Sequence, residues 1–150
     1  MTTTPPVVPA EGDALPERTF TITRADLVAY AEASGDHNPI HSDEEVAQAV
    51  GLPGVIAHGM LTLGLVARAV TEWFPGAEVV ELGSKFTHPV VVPAEGAAEV
   101  VVAATVKTVE AAGDERAVDD SGATLVRLQL TATHDGTKVL GMPKALLRLP

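Results

Sequence analysis

The chain has no cysteine. Thiol catalysis and cysteine-ligated zinc are therefore excluded, and cysteine usage says nothing about redox compartment. Aromatic residues are scarce, with one Trp, one Tyr and three Phe, so a core has to be built from Val, Leu, Ile and Ala. No apolar run reaches the ~18 residues of a membrane span. The opening MTTTPPVVPAEGD lacks the basic and apolar segments of a secretory signal, and a cytoplasmic location is the expectation. Lys and Arg form no run and the net charge is -10, which argues against a nucleic-acid surface. Phosphate-cradling glycine loops, dinucleotide fingerprints and Gly-x-Ser-x-Gly are missing as well.

What remains is a chain of 150 residues, the size of one domain. Such a chain buries roughly 70% of its unfolded surface and needs no metal or disulfide to hold it. Residues 1–12 are Thr/Pro-rich and expected to be a disordered tail, leaving 13–150 as a single domain. The charge is uneven. Met1 to Val100 carries four basic and fourteen acidic residues, whereas Val101 to Pro150 carries six of each. An anionic carrier would find its partners in the second stretch, at Lys107, Arg127, Lys138, Lys144 or Arg148, although solvated strand faces are the simpler account of those residues.

Arg18 to Ile22 alternates as a short strand. Thr23-Arg24-Ala25-Asp26 has the form of a capping box, opening a helix of about three turns that Gly35 ends. Ser42-Asp43-Glu44-Glu45 has the same form and opens a short helix that Gly51 stops. From Gly59 to about Phe74 apolar residues cover most of the circumference, so this helix is expected to be buried nearly all round. Long β segments follow at about 79–92, 97–110, 123–134 and 137–149, with Asp135-Gly136 as a hairpin signal between the last two. Ala111 to Gly122 reads as an exposed loop. The fold class is α+β, an antiparallel sheet wrapped around one long helix at about 59–74. An open sheet has two edges, which favours pairing with a second copy or a similar subunit.

The chemistry concentrates in Gly35-Asp36-His37-Asn38-Pro39-Ile40-His41 and Ile56-Ala57-His58-Gly59-Met60. The first segment sets a carboxylate and an imidazole five residues apart in a turn stiffened by Pro39, a pair able to activate water. The second opens the long helix at a glycine, where free N–H groups can hold an oxygen that becomes negative. Together they suggest water addition to, or removal from, a carbonyl compound. Asp36 alone could be an ordinary helix-terminating turn residue, and His41 could merely flank the Ser42 cap, but the combined turn favours catalysis. His58 reads as a structural ring that fixes the start of the helix, and Gly59 also permits close packing. His37 and His41 have helical metal-ligand spacing, but Pro39 lies between them, so no metal site is expected. His88 and His134 fall in β segments without visible partners.

Asp36-His37-Asn38-Pro39-Ile40-His41 followed by His58-Gly59-Met60 resembles the MaoC-like branch of the hot-dog superfamily, the (R)-specific enoyl-CoA hydratases and (3R)-hydroxyacyl-thioester dehydratases. The similarity runs from about Pro16 to Leu149, and the motif residues look closest to the catalytic subunit of the actinobacterial heterodimeric (3R)-hydroxyacyl-ACP dehydratase. The resemblance implies a hot-dog fold and a homodimer or heterodimer with sheets joined edge to edge. It implies a thioester substrate on CoA or acyl carrier protein (ACP), with no cofactor beyond the carrier's phosphopantetheine. It also implies that Asp36 and His41 are the catalytic pair and that the Gly59 amide polarises the thioester carbonyl, with Asn38 and His58 in support. His37 occupies a variable position and gains no role. The reaction expected is reversible hydration of trans-2-enoyl to (3R)-3-hydroxyacyl thioesters. The alternatives are a hot-dog thioesterase, disfavoured because the long helix has no carboxylate before Glu72, and a non-catalytic partner subunit, disfavoured because the Asp/His pair is kept.

Overall fold

The computed structural model describes residues 7–111 and 122–150. Its frame is one antiparallel sheet. The strands are β1 (Arg18–Ile22), β2 (Glu78–Phe86), β3 (Ala98–Glu110), β4 (Leu125–His134), β5 (Thr137–Lys138) and β6 (Leu140–Arg148), ordered β1-β3-β4-β6-β2 with β5 on β4. Inward-facing residues alternate along the strands, as in Val100, Val102, Ala104 and Val106 of β3 and Val126, Leu128, Leu130 and Ala132 of β4, all buried. They close on α3 (Gly59–Trp73), whose Thr62, Val66, Ala69 and Val70 are buried against them. The arrangement is the sheet-around-helix that the resemblance implies.

Before α3 come α1 (Arg24–Ser34), a 3₁₀ turn (Pro39–His41) and α2 (Glu44–Ala49). The capping box of α1 forms as expected, with Asp26 Oδ2 accepting from Thr23 N–H and Thr23 Oγ1 accepting from Asp26 N–H. Gly35 ends α1 at φ 75, a conformation that costs glycine nothing. Asp135 (φ 49) and Gly136 (φ 75) make the expected tight turn between β4 and β5.

Four expectations need correction. The second capping box does not form from Ser42. Asp43 is the cap of α2, accepting from Glu45 and Val46 N–H, while Ser42 closes the 3₁₀ turn. The segment 79–92 is not one strand. β2 stops at Phe86, and the chain beyond it, broken by Pro89 and Pro93, turns to pair with the approach to α3 through Ala57 N–H to Val90 O and Val92 N–H to Val55 O. The segment 137–149 divides at Val139 into β5 and β6. Nor is α3 buried nearly all round. Leu61, Leu63 and Leu65 are half-buried and Met60 is 58% exposed, because one sheet covers only one face of a helix. Of the expected tail over 1–12, residues 1–6 lie outside the described residues, whereas Gly12 N–H donates to Val106 O and Glu11 Oε1 accepts from Val109 N–H along β3. Residues 112–121 of the expected loop also lie outside. No helix of the described residues is long and apolar enough to cross a membrane.

Candidate active site

The end of α1 delivers Asp36 directly, and the 3₁₀ turn delivers His41. Asn38 shapes the path between them. Its Oδ1 accepts from Ile40 N–H and its own N–H donates to Asp36 Oδ1, both at 3.2 Å, an Asx arrangement that leaves the other carboxylate oxygen free. The free oxygen, Asp36 Oδ2, lies 4.0 Å from His41 Nε2. His41 is buried, while the Asp36 side chain is 53% exposed.

The tautomer of His41 follows from its other nitrogen. Nδ1 is 2.7 Å from Ile56 O, a carbonyl that can only accept, so Nδ1 carries the proton. In the neutral ring, Nε2 then presents its lone pair on the side of Asp36. A water placed about 2.8 Å from both Nε2 and Oδ2 would span their 4.0 Å separation with one hydrogen for each.

His58 completes the group. It is 2% exposed, stacked on His41 with ring centroids 3.8 Å apart and tilted against Tyr30 at 4.8 Å. Its Nε2–H donates to Asp36 O at 3.0 Å, tying the Asp36–His41 turn to the helix start, and its Nδ1 is buried without a partner among the described residues. Ligand atoms of Asp36, His41 and His58 lie within 4.8 Å of one another. Imidazoles bind metals in the ring plane at about 2.0–2.1 Å. Two rings stacked 3.8 Å apart at 25° aim their lone pairs along nearly parallel planes, a poor chelate for one ion.

These residues line a cavity of about 570 Å³ together with Gly59, Met60, Phe86, Val90 and Leu140. Where it lines this cavity, α3 begins without any side-chain cap. Leu61 and Thr62 N–H both donate to His58 O, so the free donors at this terminus are Gly59 N–H and Met60 N–H. Gly59 has an additional reason to be glycine. A Cβ there would sit 3.0 Å from Phe86 Cδ1 and Cε1. Phe86, 56% exposed at the end of β2, and Tyr30 are site residues that the sequence reading missed. Tyr30 lies on α1 and reads as an ordinary helix residue, and Phe86 is on a strand distant in sequence, so no spacing signals either.

A clamp behind the site fixes the segments that carry it. Arg24 Nε donates to Val92 O at 2.7 Å and its Nη2 to Glu44 Oε2 at 2.6 Å, while Val55 N–H reaches the same oxygen at 3.4 Å. The Arg24 hydrogen bond first, then the Val55 amide, hold the Glu44 carboxyl below its ordinary range. Of the remaining histidines, His88 lines the same cavity as Asp36 and His41 with its Nδ1–H donating to Lys138 O, whereas His37 is exposed and faces Glu32 at 3.8 Å and His134 Nδ1–H donates to Glu99 O.

The chain is 42% identical over 79 residues to 3-hydroxyacyl-thioester dehydratase X of Mycobacterium tuberculosis, covering 53% of this chain and 28% of that protein. It is 40% identical over 79 residues to the mitochondrial 3-hydroxyacyl-acyl-carrier-protein dehydratase of Arabidopsis thaliana, covering 53% of this chain and 47% of that protein. The aligned stretch thus spans less than half the length of either curated relative. A solved structure described as a MaoC-like dehydratase superposes with a TM-score of 0.82 at 35% identity, over 94% of this chain and 41% of that one. The family model described as "MaoC like domain" matches residues 8–122, and with the Asp36–His41 turn set against the open start of α3, the chain belongs to the MaoC-like domain family.

Proposed function

We propose that this protein is a hydro-lyase that interconverts trans-2-enoyl and (3R)-3-hydroxyacyl thioesters carried on CoA or ACP, in cytoplasmic acyl metabolism. The observation that carries the reading is the pairing of Asp36 Oδ2 and His41 Nε2, 4.0 Å apart, in one cavity with the uncapped start of α3. Hydration needs both parts. Water held between Asp36 and His41 attacks C3 and gives a proton to one of them. The C2–C3 electron pair moves toward the thioester oxygen, and a proton from the pair then goes to C2. The reaction balances without a cofactor. General acid–base help of this kind is typically worth ~10²–10⁴-fold. The developing oxyanion is met by Gly59 N–H at the positive end of α3, a preorganised donor worth about 2–4 kcal/mol. His58 holds the Asp36 backbone and Asn38 its carboxylate.

Thioester hydrolysis fits less well. The carboxylate on α3 is Glu72, at the far end from Gly59 and engaged by Arg68 at 2.9 Å and Arg18 at 3.3 Å. A non-catalytic subunit has no need of the paired Asp36 and His41. The working form in this reading is a dimer, of identical chains or with a paralogous hot-dog subunit. Among the described residues β2 is hydrogen-bonded only to β6, which leaves its outer edge without a strand partner there, and it exposes Val80 and Phe86. The test is a hydration assay with crotonyl-CoA and a longer enoyl-CoA, with and without candidate partner subunits. Absence of turnover with every substrate and partner would overturn the assignment.

A further inference from the structure

A second cavity of about 570 Å³ lies where the sheet splits. The β4–β6 ladder runs from Leu125 opposite Arg148 to Gln129 opposite Lys144 and stops, and β4 is next paired by β5, at Thr133 with Lys138. Met142 at φ 47, a conformation unusual for a side-chain-bearing residue, and Pro143, which has no N–H to donate, mark the break on β6. Lys107, the bulged residue between Val106 and Thr108 on β3, faces the same cavity, as do Lys138, Lys144 and His88.

The charge of this cavity is opposite to that of the chain. The whole sequence carries twice as many acidic as basic residues, yet the lining has three lysines and, among the described residues, no carboxylate. Most cations of the chain are already engaged: Arg18, Arg24, Arg68, Arg127, Lys144 and Arg148 each have a carboxylate partner. Among the described residues Lys107 and Lys138 have none, and a third unpartnered lysine, Lys85, stands beside Gly141 at the rim. Thr87, His88 and Leu140 line both this cavity and the catalytic one. The wall between them is fixed to the lysine-bearing hairpin, because Thr87 Oγ1–H and His88 Nδ1–H both donate to Lys138 O, at 3.2 and 3.1 Å.

We propose that the cavity at the split of the sheet binds the phosphate of the phosphopantetheine carrier through Lys107 and Lys138, the two lining lysines without a carboxylate partner among the described residues. Lysine suits this task as a compact point charge that needs no fixed fork geometry. The inference rests on the thioester reading for the identity of the ligand. It adds where the carrier's charge is held and by which route the arm reaches the reacting carbon, past Thr87 and His88. The phosphate has two sources, the diphosphate of CoA and the phosphodiester of holo-ACP, and either presents the same chemistry.

The test measures binding by calorimetry, independently of turnover, on the full chain and on K107A/K138A. The control removes two cations elsewhere, in R18A/R68A. The probes are CoA, pantetheine (which lacks the phosphate), holo-ACP and apo-ACP. The expected result is a loss of about 10-fold or more in affinity of K107A/K138A for CoA or holo-ACP, shrinking as salt is raised, without an equal loss for pantetheine or apo-ACP and without the same loss in the control. A loss confined to CoA or to holo-ACP supports the site and identifies the carrier. Equal affinity of the variant and the unaltered protein for both phosphate-bearing probes, or an equal loss for pantetheine, overturns the inference. Lysine-dependent CoA binding without any hydration would sink the proposed reaction and leave the phosphate site standing. Hydration with lysine-independent binding would do the reverse.

Discussion

Replacing His58 by Leu should separate stability from activity. The side chain is 2% exposed, so the change is made in a packed environment. Three effects can be sized, two that destabilise and one that stabilises. The Nε2–H to Asp36 O bond is lost, about 1 kcal/mol for a neutral hydrogen bond. The buried, unpartnered Nδ1 is also removed, and a buried unsatisfied polar atom costs about 1–3 kcal/mol. Lost stacking on His41, at 3.8 Å between centroids, takes back about 0.5–1.5 kcal/mol. The sum lies within about 2 kcal/mol of zero, so the melting temperature should move by no more than ~4–8 °C in either direction. Activity should not be spared. Without the bond, the Asp36 backbone is no longer fixed to the start of α3, and misplacement of a catalytic carboxylate by about 1 Å is enough to cost ~10²-fold. His58→Gln supplies an amide N–H near the position of Nε2 and should recover much of kcat. The assay is enoyl-CoA hydration alongside thermal unfolding for both variants. Wild-type kcat in His58→Leu would refute the reasoning, as would a Gln variant no better than the Leu one, since the effect would then not run through Asp36 O.

Asp36→Asn and His41→Gln are each expected to lose at least ~10²-fold in kcat/KM while keeping the fold, and a variant that hydrates crotonyl-CoA and longer enoyl-CoAs at near wild-type rates removes that residue from the catalytic pair. Gly59→Val should lower kcat/KM strongly with a modest change in melting temperature. Its side chain meets the exposed Phe86 ring at 3.0 Å, so adding Phe86→Ala tests whether the displaced ring or the new side chain blocks the carbonyl: recovery of rate in the double variant would implicate the ring. Because Arg24 and the Val55 amide hold the Glu44 carboxyl below its ordinary value of 4.5, the stability it contributes is fully present above that value and is lost as pH falls through the lowered one. Glu44→Gln should therefore flatten the acid limb of a plot of melting temperature against pH, and an unchanged limb would show that the clamp does not contribute. Sedimentation equilibrium should give a dimer at micromolar concentration; a clean monomer would leave only the heterodimer, to be sought by co-expression with a paralogue.

The sequence by itself determined the elements that depend on local chemistry. Thr23, Asp26 and Gly35 bound α1 because capping and left-handed termination act within a few residues. Asp135-Gly136 made its turn for the same reason, and strand alternation in β3 and β4 marked the core face. The motif drew attention to Asp36, Asn38, His41, His58 and Gly59 as well, because its residues sit on two short segments joined by one helix. Tertiary structure decided what depends on distance in space. Asp43 rather than Ser42 capped α2 because Ser42 was already closing the 3₁₀ turn around His41. β2 ended at Phe86 because the following residues had partners at Val55 and Ala57. The tautomer of His41 was set by Ile56 O, fifteen residues away, and the anchor of Asp36 by His58, twenty-two away. Which apolar side chains of α3 are covered depended on the reach of the sheet, and the gathering of Lys107, Lys138 and Lys144 around one cavity on the break in a ladder. Local propensity acts over one or two turns of chain, whereas tautomers, strand ends and charge clusters are settled by whichever groups the completed fold brings within hydrogen-bond or Coulomb range.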